Sequence, residues 1–579
     1  MHRLWGYIYR YRARYLRGIL CLVATATLAM SIPLLLKHAV EGIEKGLPFR
    51  QVSFYIVAIV GVALAQGVVR AFSRFLIFNV GRDIEYDLRN DLFTHLQKLS
   101  LSYYQGQFTG DLMSRLVNDV TAIRMMLGLG IVNLLNTPLY YIYAVSAMLA
   151  MDRRLTLAAL SLYPVMLLIV KKMSRQLMEK TLKVQEGLAD LSSRVQEGVS
   201  GIHVVRAYAR EGWQNAEFAR LNEVFKAESL ALAKMRGFFQ PLMKVVSGLG
   251  LLMVLWYGGS HVIARRLSLG DLVAFMGYLH LLAWPTMALG WLISIFQRGQ
   301  ASLKRLEVIF QAPPEIVDGQ GDGLAREIRG EIGFHHVDFA YRAKDNGHQI
   351  LHDIDFTVPA GATVAIVGRM GAGKSTLVHL LPRLFDVSGG AITIDGVDVR
   401  TVSLAALRRW IGFVSQDPFL FSSRIKDNIA FALPALDEER VCWAAGVASL
   451  AREVEEFPRG YDTVVGERGI TLSGGQKQRL TLARALIADP PILVLDDALS
   501  SVDTQTERAI LHALRETTRG KTVIVISHRI SAVRDADLIV VLDEGQIVET
   551  GTHTSLVERG GVYAEIFQQQ ALEEELAEL

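Results

Sequence analysis

The sequence predicts a two-part fold: an α-helical membrane domain of six transmembrane helices with long cytoplasmic extensions, fused to an α/β domain built on a phosphate-binding loop. Three observations carry that reading. The 579 residues are 51% hydrophobic with a mean hydropathy of +0.27, too apolar for an ordinary soluble protein of this length. Apolar runs near the roughly 20 residues that a bilayer requires crowd into the first half. The second half alternates strands and helices around Gly368-Arg-Met-Gly-Ala-Gly-Lys-Ser375.

The membrane half covers residues 1–310, with spans expected near 16–37, 53–79, 130–151, 155–173, 242–264 and 271–297. Arg3, Arg10, Arg12, Arg14 and Arg17 precede or open the first run. Positive flanks stay in the cytoplasm, so both termini are expected inside. Asp152, Arg153 and Arg154 fall on an outer connection, locally against that rule, and are outweighed by the basic N-terminus and the inner loops. The second and fourth connections, about 80–129 and 174–241, are long, charged and helical in pattern. Gly106, Gly110 and Asp111 interrupt one; Gly201 and Gly212 interrupt the other. Each set marks either a turn around a short transverse helix or ordinary hairpin punctuation. A Pro-, Gly- and Asp-rich linker follows at 311–328, then an α/β domain over 329–570 with strands at Glu331–Tyr341 and Thr363–Val367, and an acidic tail at 571–579 read as a solvated helix end. The net charge of +3 is a near-balance of 61 basic and 58 acidic residues. It argues neither for nor against nucleic acid, and no nucleic-acid partner is expected. Cys21 and Cys442 lie in different halves, without disulfide or metal-ligand spacing.

Gly368 to Ser375 matches G-x-x-x-x-G-K-[ST] between an apolar strand and a helix from Ser375 to about Leu381. Gly368, Gly371 and Gly373 let backbone N–H groups turn towards phosphate oxygens, and the helix N-terminus adds its positive dipole end. Lys374 is expected on the β- and γ-phosphates, Ser375 on Mg²⁺, with Thr376 counted in the same cradle. Ile492-Leu-Val-Leu-Asp496 reads as a buried strand that fixes a carboxylate for Mg²⁺ at the nucleotide edge.

Leu472-Ser-Gly-Gly-Gln476, followed by a helical run from Lys477 to Ala488, resembles the signature motif of the ATP-binding cassette (ABC) family, and the likeness extends over essentially the whole chain. The layout is that of an ABC exporter half-transporter of the multidrug and lipid type. Further motifs fall in family order: Tyr341 where an aromatic stacks on adenine, Gln416 in the Q-loop and a further Mg²⁺ ligand, Thr463 to Gly469 as an exporter loop, Ser500 to Asp503 as the D-loop and His528 as the switch histidine on the γ-phosphate. The resemblance implies ATP and Mg²⁺ as cofactors and two cassettes meeting head to tail. Ser473, Gly474, Gly475 and Gln476 then bind the nucleotide held by the partner. It also implies coupling helices near Tyr104–Asp111 and Glu211–Phe218.

One position departs from the family. Asp497 follows the Walker-B aspartate where glutamate normally polarises the attacking water, and it is one methylene shorter. That contact needs hydrogen-bond reach and is worth about 10²–10⁴-fold. The chain is therefore expected to be the degenerate-site half of a heterodimer, weak at its own Walker site and paired with a second half-transporter bearing glutamate there. A slow homodimeric exporter or lipid flippase, and an ATP-gated channel or regulator, are the alternatives. The cargo is expected to be an amphiphile crossing a bacterial cytoplasmic membrane. Arg70, Arg74, His280, Trp284, Pro285 and Trp291 are the span residues with cavity potential, against snorkelling or ordinary packing.

Overall fold

A computed structural model describes residues 2–319, 328–341, 349–466 and 472–578. Its contacts divide into two units, one of residues 1–97 and 110–311, the other of residues 98–109 and 312–579.

Among the described residues, six helical stretches are long and apolar enough to cross a membrane: Arg12–Glu44, Phe49–Lys98, Thr109–Met151, Arg153–Ser200, Glu211–Ile263 and Leu269–Gln311. Five of the expected spans lie inside one of them, and 242–264 runs one residue past the end of Glu211–Ile263. The helices outrun the apolar runs because their polar extensions, rich in Glu, Lys, Leu and Arg, are good helix formers. Leu64, Val68, Phe72 and Phe75 point outward from the second stretch, as a lipid-facing surface requires. Below the apolar zone the N-terminal arginines have a second job. Arg10 pairs with Asp87 at 3.0 Å, Arg14 with Asp83, and the Tyr7 hydroxyl donates to Asp91. Acids at 83, 87 and 91 share one helix face, so three ties fasten the N-terminal segment to the second helix. Asp152 caps the helix Arg153–Leu160 by accepting from the N–H groups of Arg154 and Leu155.

The transverse helices fall elsewhere than expected. The first is Leu101–Gln105, closed by Gly106, rather than Tyr104–Asp111. The second is Ile202–Ala207, whereas Glu211–Phe218 is the opening of the 53-residue helix Glu211–Ile263. Gly212 sits inside that helix and breaks nothing. The turn is made at Ala209, with φ +49.

The second unit carries two sheets. The smaller is ordered β2 (Gln349–Val358), β1 (Ile332–Ala340), β4 (Gly389–Ile394), β5 (Val397–Asp398). The larger is ordered β10 (Gln546–Gly551), β9 (Leu538–Asp543), β3 (Thr363–Gly368), β8 (Thr522–Ile526), β7 (Ile492–Asp496), β6 (Ile411–Val414). All its neighbours are parallel except β10. β7 and β8 are buried along their whole length, which is why they read as unbroken apolar runs. Each fully buried aliphatic side chain contributes about 1.5–3 kcal/mol, enough to pin the strand ends. Residues 320–327 of the linker expected at 311–328 fall outside the described residues, as do 467–469 of the exporter loop; the tail is helical through Glu578.

Candidate active site

Parallel strands end on one edge of a sheet, and ligands of open α/β sheets bind outside those carboxyl ends. Four neighbours end here in chemistry. β3 runs into Gly368 and its loop, β8 into Ser527 and His528, β7 into Asp496 and Asp497, and β6 into Ser415 and Gln416. Register aligns them: Ile366 pairs with Ile526, Asp496 with Ile526, and Leu495 with Val414. Residues spread over 160 positions thus reach one rim.

Gly373 has φ +93 and opens the helix Lys374–Leu380, a backbone state that favours glycine. Lys374 is buried and folds back to donate to the carbonyls of Gly368 at 2.7 Å and Arg369 at 2.8 Å. Burial pulls its ammonium below the ordinary range, while Asp497 and Asp496 push the other way. The Ser375 hydroxyl donates to Asp496 at 2.9 Å. Burial pushes the Asp496 carboxyl upward; Ser375 pulls it back, and Asp497 adds to the rise. The second oxygen of Asp496 is buried without a hydrogen-bond partner among the described residues. An orphaned carboxylate oxygen beside a hydroxyl is the donor set of a hard divalent cation, so Mg²⁺ fits this pair.

Asp497 is 9% exposed. Its N–H donates to Ile526 O at 2.9 Å, and its φ is +46. Aspartate tolerates this left-handed state better than longer side chains. The Tyr341 hydroxyl bonds Thr376 at 3.1 Å, and its ring stands edge-on to Phe339 and Phe385. His528 and Gln416 are exposed at their strand ends, and among the described residues no hydrogen bond joins either to Asp497. The structure thus gathers Lys374, Ser375, Asp496 and Asp497 tightly and leaves Gln416 and His528 at the rim.

The signature lies on another element. Ser473 caps the 13-residue helix Gly474–Leu486 through a box in which Ser473 and Gln476 exchange backbone and side-chain bonds of 2.9 and 3.2 Å. The Gln476 amide also donates to Glu453 at 2.8 Å, and Arg479 reaches the same carboxylate. Burial alone would raise Glu453, but those two donors hold it below the usual carboxylate range. Ser473 is exposed, and no hydrogen bond among the described residues links Ser473–Gln476 to Gly368–Thr376.

Sequence reasoning missed Gln478. It is 3% exposed, its amide donates to Ser500 Oγ at 2.8 Å, and its oxygen accepts from Ser501 N–H at 2.8 Å. Ser500 Oγ donates in turn to Asp497 O at 3.1 Å. A Cβ on Gly475 would lie 2.9 Å from Ser501 O, so only glycine allows that approach. A glutamine two positions past Gln476 carries no local signal of this role, because its partners are 22 and 23 residues away.

Residues 15–286 match the family described as ABC transporter transmembrane region, and residues 351–500 match the family described as ABC transporter. The chain is 36% identical to the probable multidrug resistance ABC transporter ATP-binding/permease protein YheI of Bacillus subtilis, over 99% of this chain and 98% of that one. The chain belongs to the ABC transporter family. It is also 35% identical to an ATP-dependent lipid A-core flippase of Syntrophus aciditrophicus, over 98% and 93% of the two chains. A bacterial Atm1-family ABC exporter with ATP bound superposes with a TM-score of 0.79 at 28% identity, covering 97% of this chain and 98% of that one. This ABC transporter is therefore a multi-pass membrane protein with a fused ATPase domain, of the half-transporter form.

Proposed function

We propose that the chain exports an amphiphile as one half of a dimeric ABC exporter, weak at its own Walker site and completing its partner's site with an intact signature. Asp497 is the observation that carries this reading. Its backbone is held by the bond to Ile526, so a side chain one methylene short loses the reach on which general-base positioning depends. Lys374 would hold the β- and γ-phosphates and Tyr341 the adenine, with Gly368, Gly371, Gly373 and Thr376 around the phosphates. Ser375, Asp496 and Gln416 would hold Mg²⁺, which when bound neutralises phosphate charge. Asp497 would orient water, and His528 would contact the γ-phosphate. Ser473, with the N–H groups of Gly474 and Gly475 and the cap set by Gln476, would face the nucleotide of a second half-transporter bearing glutamate after its Walker-B aspartate. The multidrug and lipid-flippase names of its bacterial relatives support an amphiphilic cargo and a bacterial cytoplasmic membrane, and the basic N-terminus supports both termini inside.

The test is Mg-ATP turnover of this chain alone in lipid beside Asp497→Glu. Negligible turnover that rises about 10²-fold or more in the variant is expected. Brisk turnover and transport by the unmodified chain alone would replace the heterodimer with the homodimer. ATP-opened single-channel conductance would replace the exporter with a channel.

A further inference from the structure

We propose that the groove between 118–125 and 291–305 binds a membrane amphiphile with one anionic head group on an alkyl chain. This rests on the exporter reading and names its substrate class. The groove has a volume of about 450 Å³, within the range of about 300–1,000 Å³ typical of small-molecule sites. It lies wholly within the first unit. The helices that form its walls approach closely beside it: a Cβ on Gly299 would lie 2.6 Å from the Met126 sulfur. Two π-helical turns, Arg115–Asp119 and Met126–Gly130, flank it, and such turns gather at functional sites.

Its polarity is graded along the helices. Trp291, Ile295 and Met125 line the end nearer the apolar runs, and Ser302, Arg305 and Asp119 line the end on the polar extensions. A lipid of the cytoplasmic leaflet has the same order, tail in the bilayer and head below it. The sign of the head follows from the charges. Asp119 accepts from Arg305 Nε at 2.8 Å, from Arg305 Nη2 and from Ser302 Oγ at 2.9 Å. That carboxylate and Arg305 cancel. Arg298, midway along the wall, has no carboxylate partner among the described residues. A ligand that covers it removes an unpaired guanidinium from water, which costs free energy unless the ligand brings an anion. A phosphate or carboxylate supplies it, with two parallel bonds available to the guanidinium fork. A quaternary ammonium meets repulsion at the same place. The apolar end gives a free inorganic anion nothing to bind, and so selects one with a chain.

The test uses the full chain in phosphatidylcholine nanodiscs, with empty discs subtracted, and three probes: dodecyl phosphate, dodecyltrimethylammonium and inorganic phosphate. Dodecyl phosphate should bind at least about tenfold more tightly than the ammonium probe. Arg298→Ala should remove the preference, Arg298→Lys should keep most of it, and Arg298→Glu should reverse it towards the ammonium, a gain that misfolding does not mimic. Equal binding of both amphiphiles, a preference unmoved in Arg298→Glu, or competition by inorganic phosphate as strong as by dodecyl phosphate would overturn the inference. ATP-driven uptake into inverted vesicles that hold this chain together with a half-transporter bearing glutamate after its Walker-B aspartate separates it from the exporter reading. Uptake of the ammonium probe alone leaves the exporter standing and sinks the anionic site. Arg298-dependent binding of dodecyl phosphate without uptake leaves the site standing and sinks the exporter.

Discussion

The two faces of the ATP-binding domain are built on opposite terms. At the strand ends, Lys374, Asp496 and Asp497 are 6%, 1% and 9% exposed, and the groups bond one another, ammonium to loop carbonyls and hydroxyl to one carboxylate oxygen, leaving the second oxygen of Asp496 without a partner among the described residues. At the signature, Ser473 is exposed and the helix is capped from within, so its first N–H groups are presented outward without help from the strand-end face. The departure from the family pattern falls on the buried face, at Asp497; the exposed face keeps every element. On the proposed reading the chain is weak at its own site and contributes most through what its signature offers another nucleotide.

The largest expected effect tests that asymmetry. In a complex of this chain with a glutamate-bearing partner, Ser473→Arg should lower ATP turnover by about 10²–10³-fold, the usual cost of losing a donor aimed at transition-state charge. Lys374→Ala in the same complex should change turnover only a few-fold, because on the proposed reading the site it disables turns over little. Phosphate release from the reconstituted pair reads both. Equal losses would dissolve the comparison and make the two sites equivalent.

A second prediction sharpens the buried side. Asp497→Glu should gain turnover yet lose stability, because the position is left-handed at φ +46 and longer L side chains cost about 1–2 kcal/mol there. A fall of about 2–4 °C in the unfolding midpoint of this domain is expected, while Asp497→Asn, which tolerates the same backbone, should show neither change. Gain without loss would mean that the backbone relaxes on substitution.

The strand-end motifs are legible in sequence because each is local: an apolar run sets a buried strand, and the next two residues carry the chemistry. The six membrane stretches are legible for a similar reason, since apolar length is a one-dimensional property. The second transverse helix is not. Gly212 looks like a breaker, but a single glycine costs a long helix only about 1 kcal/mol. The actual turn is made by Ala209, a residue with no turn signature. Tertiary ties are equally silent. Glu315 accepts from Ser100 at 3.0 Å and from Ser102, fastening the helix Leu101–Gln105 within its unit, and no spacing in the sequence couples positions 213 residues apart.

Gln478 joins the two faces, and its loss should be felt at both. Gln478→Leu leaves the Ser501 N–H without its partner, at about 1–3 kcal/mol, and frees Ser500 from the amide that holds it beside Asp497. Turnover of the two-chain complex should fall about tenfold, with Gln478→Glu keeping the acceptor for Ser501 and part of the rate. A full rate in Gln478→Leu would show that signature and strand end work independently.

The smallest effect separates the faces by pH. His379 lies half-buried on the phosphate-loop helix, 5.5 Å from the Phe413 ring, and burial lowers its pKa from the ordinary 6.5. An unfolded chain takes up this proton first, so stability is full above about 6.5 and declines as pH falls through that value towards the lowered folded one. Glu453, behind the signature, has its pKa lowered from 4.5 by Arg479 and Gln476 against the cost of burial. Its contribution is present above 4.5 and is lost only as pH falls through a still lower value. Between pH 7.5 and 5.5 the helix Lys374–Leu380 should therefore lose hydrogen-exchange protection before Gly474–Leu486 does, and His379→Leu should abolish the difference. Earlier loosening of the signature helix would mean that its pH response comes from groups other than Glu453, and that the buried face is the better fastened of the two.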